Sequence, residues 1–476
     1  MTGYSLKGGM VYSAEDRNYV RRDLHMSAGV ISPTPSEGSL EIDIAGRFVY
    51  PGFVDSHAHL IGTGRKNLEV NLEDCNSIES LAERLEVDRE IVRARGWDQE
   101  ALGFMPVREK LDSITSRPVI LTRRCGHIAT VNSPLIKLFS IERLHGLDGS
   151  DIELGLLKER ALEELDRMIR LSPGEVQRAI HAGTQAFLKY GVTTVHSDDY
   201  HGIDYELLMN SLSGASDMRI YEKLCISKEE ELDLIKHGQQ FETPFFTLRA
   251  AKLYLDGSLG ARTAAMISPY HDSPAERGVL YMTADELKPI VKRADRERIQ
   301  VCVHVIGDRA LEEALKAFEG SASESLNHRL IHVQIASEEQ IKRMTDQKLT
   351  ASIQPIFADS DKIIAPERLG PGRMRDAYPF GKMRDMGVPL AISTDSPVES
   401  TSVIRNLASA DKFFSRRDSI EMYSSNGHIL ANNTESLSLN NGDRADLFVI
   451  NVDLLKVTQD TPAEMTFVDG RLVHKL

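Results

Sequence analysis

Cysteine is scarce in this chain: 476 residues hold 4, at positions 75, 125, 225 and 302, far apart and without a CxxC pair. That argues against a disulfide framework and against a thiolate zinc site, and it fits a reducing compartment. No apolar run approaches the ~20 residues of a membrane span. The opening MTGYSLKGGMVYSAEDRN lacks the basic-then-apolar order of a signal peptide, so the expected location is the cytoplasm. Positive charge is not in excess either. A formal net charge of −14 argues against a surface for nucleic acid or anionic membrane. Tryptophan occurs once, at Trp97.

What remains is ordinary for a soluble globular protein: 41% hydrophobic and 27% charged residues. The length suits two to four domains, or one large barrel with attachments. Residues 1–50 read as short alternating segments (YSLKG, GMVYSAE, GVISP, LEIDIAG) broken by turn formers, the pattern of small antiparallel strands. ADLFVINVD, EMTFVDG and RLVHKL repeat it at the other end. Residues 1–50 plus 431–476 are therefore expected to form one small β domain around an inserted body.

In that body, residues 51–430, eight apolar runs alternate with amphipathic helical stretches: FVYPGFVDSH, GVTTVHSDD, MRIYEKLCI, FTLRAAKLYLDG, IQVCVHVIGD, HRLIHVQI, LTASIQPI and PLAISTDSP. Buried strands alternating with helices predict a parallel sheet covered on both faces, and eight units predict a (β/α)8 TIM barrel. More than a hundred residues separate the first two strands, far beyond a normal connection. Residues 62–175 are read as an inserted subdomain over one rim.

Functional residues of such barrels sit where strands finish. The first run ends in His57-Ala58-His59, whose rings leave the strand on one side. Lys252 lies in the fourth run, His304 in the fifth, His332 in the sixth and Asp395 in the eighth. Imidazole and carboxylate suit zinc, and also manganese, iron or nickel. An ammonium would repel a cation. Lys252 fits the set if burial and a nearby cation depress its pKa and the amine captures carbon dioxide as a metal-bridging carbamate. Asp395 is placed to bind a metal and to carry a proton to a leaving nitrogen.

The order HxH, Lys, His, His, Asp resembles the amidohydrolase superfamily. PGFVDSHAHL, GWDQE, CGHIATVNSPL, GVTTVHSDD, KLYLDGSLGARTAAM, VHVIGDRALEEAL, HRLIHVQ, AISTDSPVES and NNGDRADLFVINVD are similar to its YtcJ-like branch, amidohydrolase family 3, which includes exoenzyme-regulatory proteins and N-substituted formamide deformylase. The resemblance implies a metal-bearing barrel with a small β-sandwich built from both termini. It also implies one or two divalent ions, zinc first. His57 and His59 would bind the first ion with Asp395, His304 and His332 the second, and carboxylated Lys252 would bridge.

Other positions are weaker candidates. Arg262 is expected either to clamp a substrate carboxylate or to tie down its glycine-rich loop. His127, Asn132 and Trp97-Asp98 are candidates for pocket walls, with core packing the competing role for Trp97. Asp256 sets a turn, Asp308 with Arg309 starts a helix as an ion pair, and His196 ends the second strand without a ligand role. The expected activity is metal-dependent hydrolysis of a C–N bond, amide or N-acyl/N-formyl, in a small molecule through a metal-activated hydroxide. A deaminase, an ester or lactone hydrolase, and a catalytically silent regulatory or ligand-binding homologue are the alternatives. No segment marks an interface, so homo-oligomerisation stays open.

Overall fold

Gly52 divides what reads as one apolar run into two strands of different sheets. A Cβ there would lie 2.1 Å from Thr193 Oγ1, so only glycine permits the approach. Before it, Phe48–Pro51 belongs to the terminal sheet; after it, Phe53–Ala58 opens the barrel. The computed structural model describes residues 3–124, 128–199, 202–433 and 438–476.

The barrel strands, numbered here β1 to β8, are Phe53–Ala58, Val192–Ser197, Arg219–Cys225, Phe246–Tyr254, Gln300–Val305, Arg329–His332, Thr350–Ile353 and Leu390–Ile392. They pair in parallel and in sequence order, β1 beside β2 through to β8. Side chains and the loop after β8 draw the two ends together. Ser56 Oγ donates to the Ile392 carbonyl at 3.0 Å, and Thr394 Oγ1 donates to Asp55 at 2.6 Å. Strands β1, β2, β6 and β7 are buried along their length, as near-continuous apolar sequence requires in a sheet covered on both faces.

The intervening helices carry their own start signals. In Ala284–Glu297, Thr283 N–H donates to Glu286 Oε2 at 2.8 Å, half of a capping box that satisfies N-terminal donors. Leu287, Ile290, Val291 and Ala294 form its buried face, at the spacing of a helical stripe.

Both termini enter one eight-stranded sheet. Its long strands Tyr4–Ser13 and Asn18–Ser27 are antiparallel, and Leu447–Ile450 pairs antiparallel with Phe48–Pro51, Val449 opposite Val49. Leu6, Val11, Val49, Leu447 and Phe467 are in its core. Arg219, at the start of β3, holds this sheet through Asp446 (Nε to Oδ2 2.7 Å), and Gly52 N–H donates to the Asp446 carbonyl at 2.9 Å.

The chain divides into two compact units, the second chiefly Arg65–Ala179. That unit has its own six-stranded sheet, running in space from Ser150–Asp151 through Leu156–Lys158, Ile128–Val131, Val119–Arg123 and Val92–Trp97 to Val70–Asn71. Its apolar side chains form two clusters, one around Leu135, Leu157 and Leu165, the other around Leu81, Leu111 and Trp97. Cys75, Cys225 and Cys302 are free thiols. No helix among the described residues is long and apolar enough to cross a membrane.

Candidate metal centre

Ends of β1, β5 and β6 and the loop after β8 gather four imidazoles and a carboxylate around one cavity of about 380 Å³. Asp395 Oδ1 lies 3.1 Å from His57 Nε2 and 3.3 Å from His59 Nε2. One donor atom from each of these three residues falls within 4.8 Å of the others. The His332 ring centroid is 5.3 Å from that of His57 and 4.5 Å from that of His304. Two of the donors sit on left-handed backbone, His332 at φ 77° and Asp395 at φ 56°. Non-glycine residues rarely adopt it, and such strain, when surroundings enforce it, concentrates at functional sites.

The second nitrogen of each outer imidazole is engaged. His59 Nδ1 is 2.7 Å from Asp198 Oδ1, His332 Nδ1 is 2.8 Å from Gln354 Oε1, and His304 Nε2 is 3.2 Å from the Gly257 carbonyl. A carboxylate, amide or carbonyl behind an imidazole fixes its tautomer and turns the other nitrogen inward, as a metal ligand requires. Burial first, and then the Lys252 charge, hold His57 well below the ordinary histidine pKa. Burial and the neighbouring His332 do the same to His304, and burial lowers His332. Neutral imidazole is the form that binds a cation. His59 goes the other way: burial lowers it, but the Asp198 and Asp395 carboxylates outweigh that and hold it well above the ordinary histidine range. For Asp395, burial pushes the pKa up, but His57 and His59 outweigh that and keep it well below the usual carboxylate range. The donor set fits a divalent cation.

Lys252 is fully buried on β4. Its ammonium touches the Asp198 carboxylate and lies 4.0 Å from the Tyr254 ring centroid. Burial alone would lower its pKa, as expected from the sequence, but the carboxylate of Asp198 reverses the direction and raises it. Asp198 follows β2 and was given no role by sequence reading. The signal available was the pair of carboxylates in VHSDD at a strand end. Asp199 accepts the Ile61 N–H at 2.9 Å, so it fixes the turn beneath the histidine pair.

Asp256 does more than set a turn. Its carboxylate accepts the N–H groups of Ala265, Ile306 and Gly307 at 2.9, 3.0 and 2.7 Å and lies 3.5 Å from His304 Nε2. Burial raises its pKa to about 7. Asp308 heads its helix by accepting the Ile267 N–H at 2.8 Å, in place of the expected pairing with Arg309. His196 is buried inside the barrel, with Nδ1 2.9 Å from Arg329 Nη1.

Arg262 is not among the residues that line this cavity. Arg262 Nη2 is 2.7 Å from Asp272 Oδ2, and the same oxygen contacts the Arg368 guanidinium, which ties the loop down. Trp97 is fully buried in the core of the second unit and donates its ring N–H to the Leu121 carbonyl at 2.9 Å. Asn132 caps the helix Ser133–Phe139. His127 lies outside the described residues.

The sequence profile of the amidohydrolase family matches residues 40–474. The chain belongs to that family. Among amidohydrolase relatives, it is 29% identical to YtcJ of Bacillus subtilis, over 85% of this chain and 82% of that protein. It is 24% identical to the N-substituted formamide deformylase of Arthrobacter pascens, covering 91% and 90% of the two chains. A metal-dependent hydrolase from Pyrococcus furiosus has the same fold, with a TM-score of 0.85, 30% identity, and coverage of 95% of this chain and 100% of that one.

Proposed function

We propose that this protein is a metal-dependent amidohydrolase that cleaves an amide, N-acyl or N-formyl C–N bond in a small molecule. The observation that carries the reading is Asp395 Oδ1 seated between His57 Nε2 and His59 Nε2 at 3.1 and 3.3 Å, in a cavity that His304 and His332 also line. His57, His59 and Asp395 would hold one ion, zinc first by donor type. His304 and His332 would hold a second, and carboxylated Lys252 would bridge the two. The bound cation supplies an acidic water at neutral pH and polarises the scissile carbonyl.

The protein's own groups supply the rest. Asp395 accepts the proton that the attacking water loses and returns it to the departing nitrogen, so that C–N cleavage yields an acid and an amine. Its backbone N–H, donated to the His57 carbonyl at 2.9 Å, holds it in register with the histidine pair. Asp198 orients His59 and neutralises Lys252 while that amine is unmodified. The likeness to an N-substituted formamide deformylase supports a formamide C–N bond as the target. A silent regulatory homologue would be free to lose donors, yet all six are present.

Purified protein assayed for metal content and for turnover of N-formyl and N-acyl amines tests the reading. Metal together with hydrolysis of a panel member is the expected result. Stoichiometric metal with no turnover of any member would overturn it in favour of the silent homologue.

A further inference from the structure

Gln334 lines the cavity of the candidate metal centre, is 3% exposed, and its buried Oε1 has no hydrogen-bond partner among the described residues. Buried acceptors are rarely left unmade, because the lost solvation is not repaid. Two carboxylates on the same wall are engaged: Asp361 Oδ2 takes the Tyr378 hydroxyl at 2.6 Å, and Glu399 takes the Ser360 hydroxyl.

The backbone supplies an independent observation. His332 and Val333 are consecutive left-handed residues, at φ 77° and 47°, and a β-branched residue there is a steric outlier. Contacts on both sides enforce it. Val333 N–H donates to the Val305 carbonyl at 2.9 Å, Ile335 N–H to the Ile306 carbonyl at 3.1 Å, and the Gln334 carbonyl accepts the Tyr378 N–H at 2.6 Å. Strain of this kind persists where a site needs a side chain held in place. Here it leaves His332 and Gln334 both in the cavity wall. Being two residues apart, their Cα atoms are at most about 7 Å from each other. The open acceptor therefore belongs to the reacting end of the cavity.

We infer that Gln334 accepts the N–H of the amide that is cleaved, and that the site takes N-monosubstituted amides and disfavours N,N-disubstituted ones. This rests on the hydrolytic reading above and narrows it. The hydrogen bond would fix the rotation of the amide plane and hold the nitrogen while Asp395 delivers its proton. A second alkyl group on that nitrogen removes the donor and leaves Oε1 buried and unpaired. A site built around a hydrogen bond rejects the analogue that lacks it.

Two matched substrates test this: N-butylformamide and N-butyl-N-methylformamide share the bond and the chain and differ in the N–H. The wild-type kcat/KM should favour the N–H compound about thirtyfold beyond the ratio of the two with hydroxide in free solution. Gln334→Leu keeps the bulk without the acceptor, and should cut that excess to within about threefold while metal content stays unchanged. No excess in the wild type, or an excess that survives in Gln334→Leu, overturns the inference. Loss of metal from the variant also overturns it, by giving Oε1 to the cation. The wild-type comparison decides the matter alone if the variant does not fold. If neither compound is hydrolysed, the hydrolytic reading fails for formamides, and titration calorimetry of both with the wild-type protein decides the inference separately. Tighter binding of N-butylformamide sustains it; equal, weaker or undetectable binding sinks it.

Discussion

Asp395 and His57 join the two ends of the barrel: the Asp395 N–H donates to the His57 carbonyl at 2.9 Å, and its Oδ1 lies 3.1 Å from His57 Nε2. This candidate pair of metal ligands therefore exists only when the loop after β8 is docked against β1.

Asp395→Asn should lower kcat by about 10²–10⁴, the usual worth of a general acid–base group, with a much smaller change in KM. Steady-state kinetics together with metal analysis checks this. Unchanged turnover would remove the proton-carrying role from Asp395.

Lys252→Ala should weaken the paired metal site and abolish most activity, with partial recovery on adding short carboxylates that occupy the vacated space. It also takes the Lys252 ammonium away from the buried Asp198, which keeps its contact with His59, and losing one side of a buried ion pair is destabilising. A melting curve recorded beside the metal titration separates the two effects. Full metal and full activity in the variant would refute the bridging role.

Trp97→Ala should cost about 3–5 kcal/mol of stability, as expected for truncating a fully buried ring, while Trp97→Phe should leave KM close to wild type. Denaturant unfolding and kinetics of both variants check this. A KM that rises in Trp97→Phe would restore the pocket-wall role.

Arg262→Ala should leave KM within about twofold, because the guanidinium is engaged by Asp272. A large rise in KM, confined to carboxylate-bearing substrates, would favour the clamp instead.

His428 gives the pH dependence. Burial first, and the Arg444 charge next, push its pKa down to about 3. In the unfolded chain the ring takes a proton near 6.5. Between those values the unfolded state binds the extra proton, so stability is full above about pH 6.5 and declines as pH falls towards about 3. Calorimetric midpoints across that window should fall with acid, and His428→Gln should flatten the slope. An unaltered slope would assign the loss to other groups.

Much of the fold was legible because the eight barrel strands are nearly unbroken apolar runs, and the four histidines and Asp395 that line the cavity because each stands at or near the end of one. Asp198 was not legible. It follows His196 and Ser197 in a polar run, and spacing alone does not tell which of them reaches the mouth. Asp361, Glu399 and Gln334 lie where loop geometry, not periodicity, decides what faces the cavity. The strand Asn18–Ser27 escaped notice because much of it is exposed and carries Arg21, Arg22 and Asp23, which blur the alternation. The break at Gly52 was invisible for a different reason: two strands of separate sheets, both apolar, abut with one residue between them.

That junction has a consequence for how the chain tolerates trimming. Phe48–Pro51 is clasped by Leu447–Ile450, and Gly52 alone links it to the strand that bears His57. Removing the last few dozen residues would unzip the clasp and loosen the anchorage of β1. A deletion at the far end of the polypeptide should therefore register as lost metal affinity, although the excised segment contributes no ligand of its own.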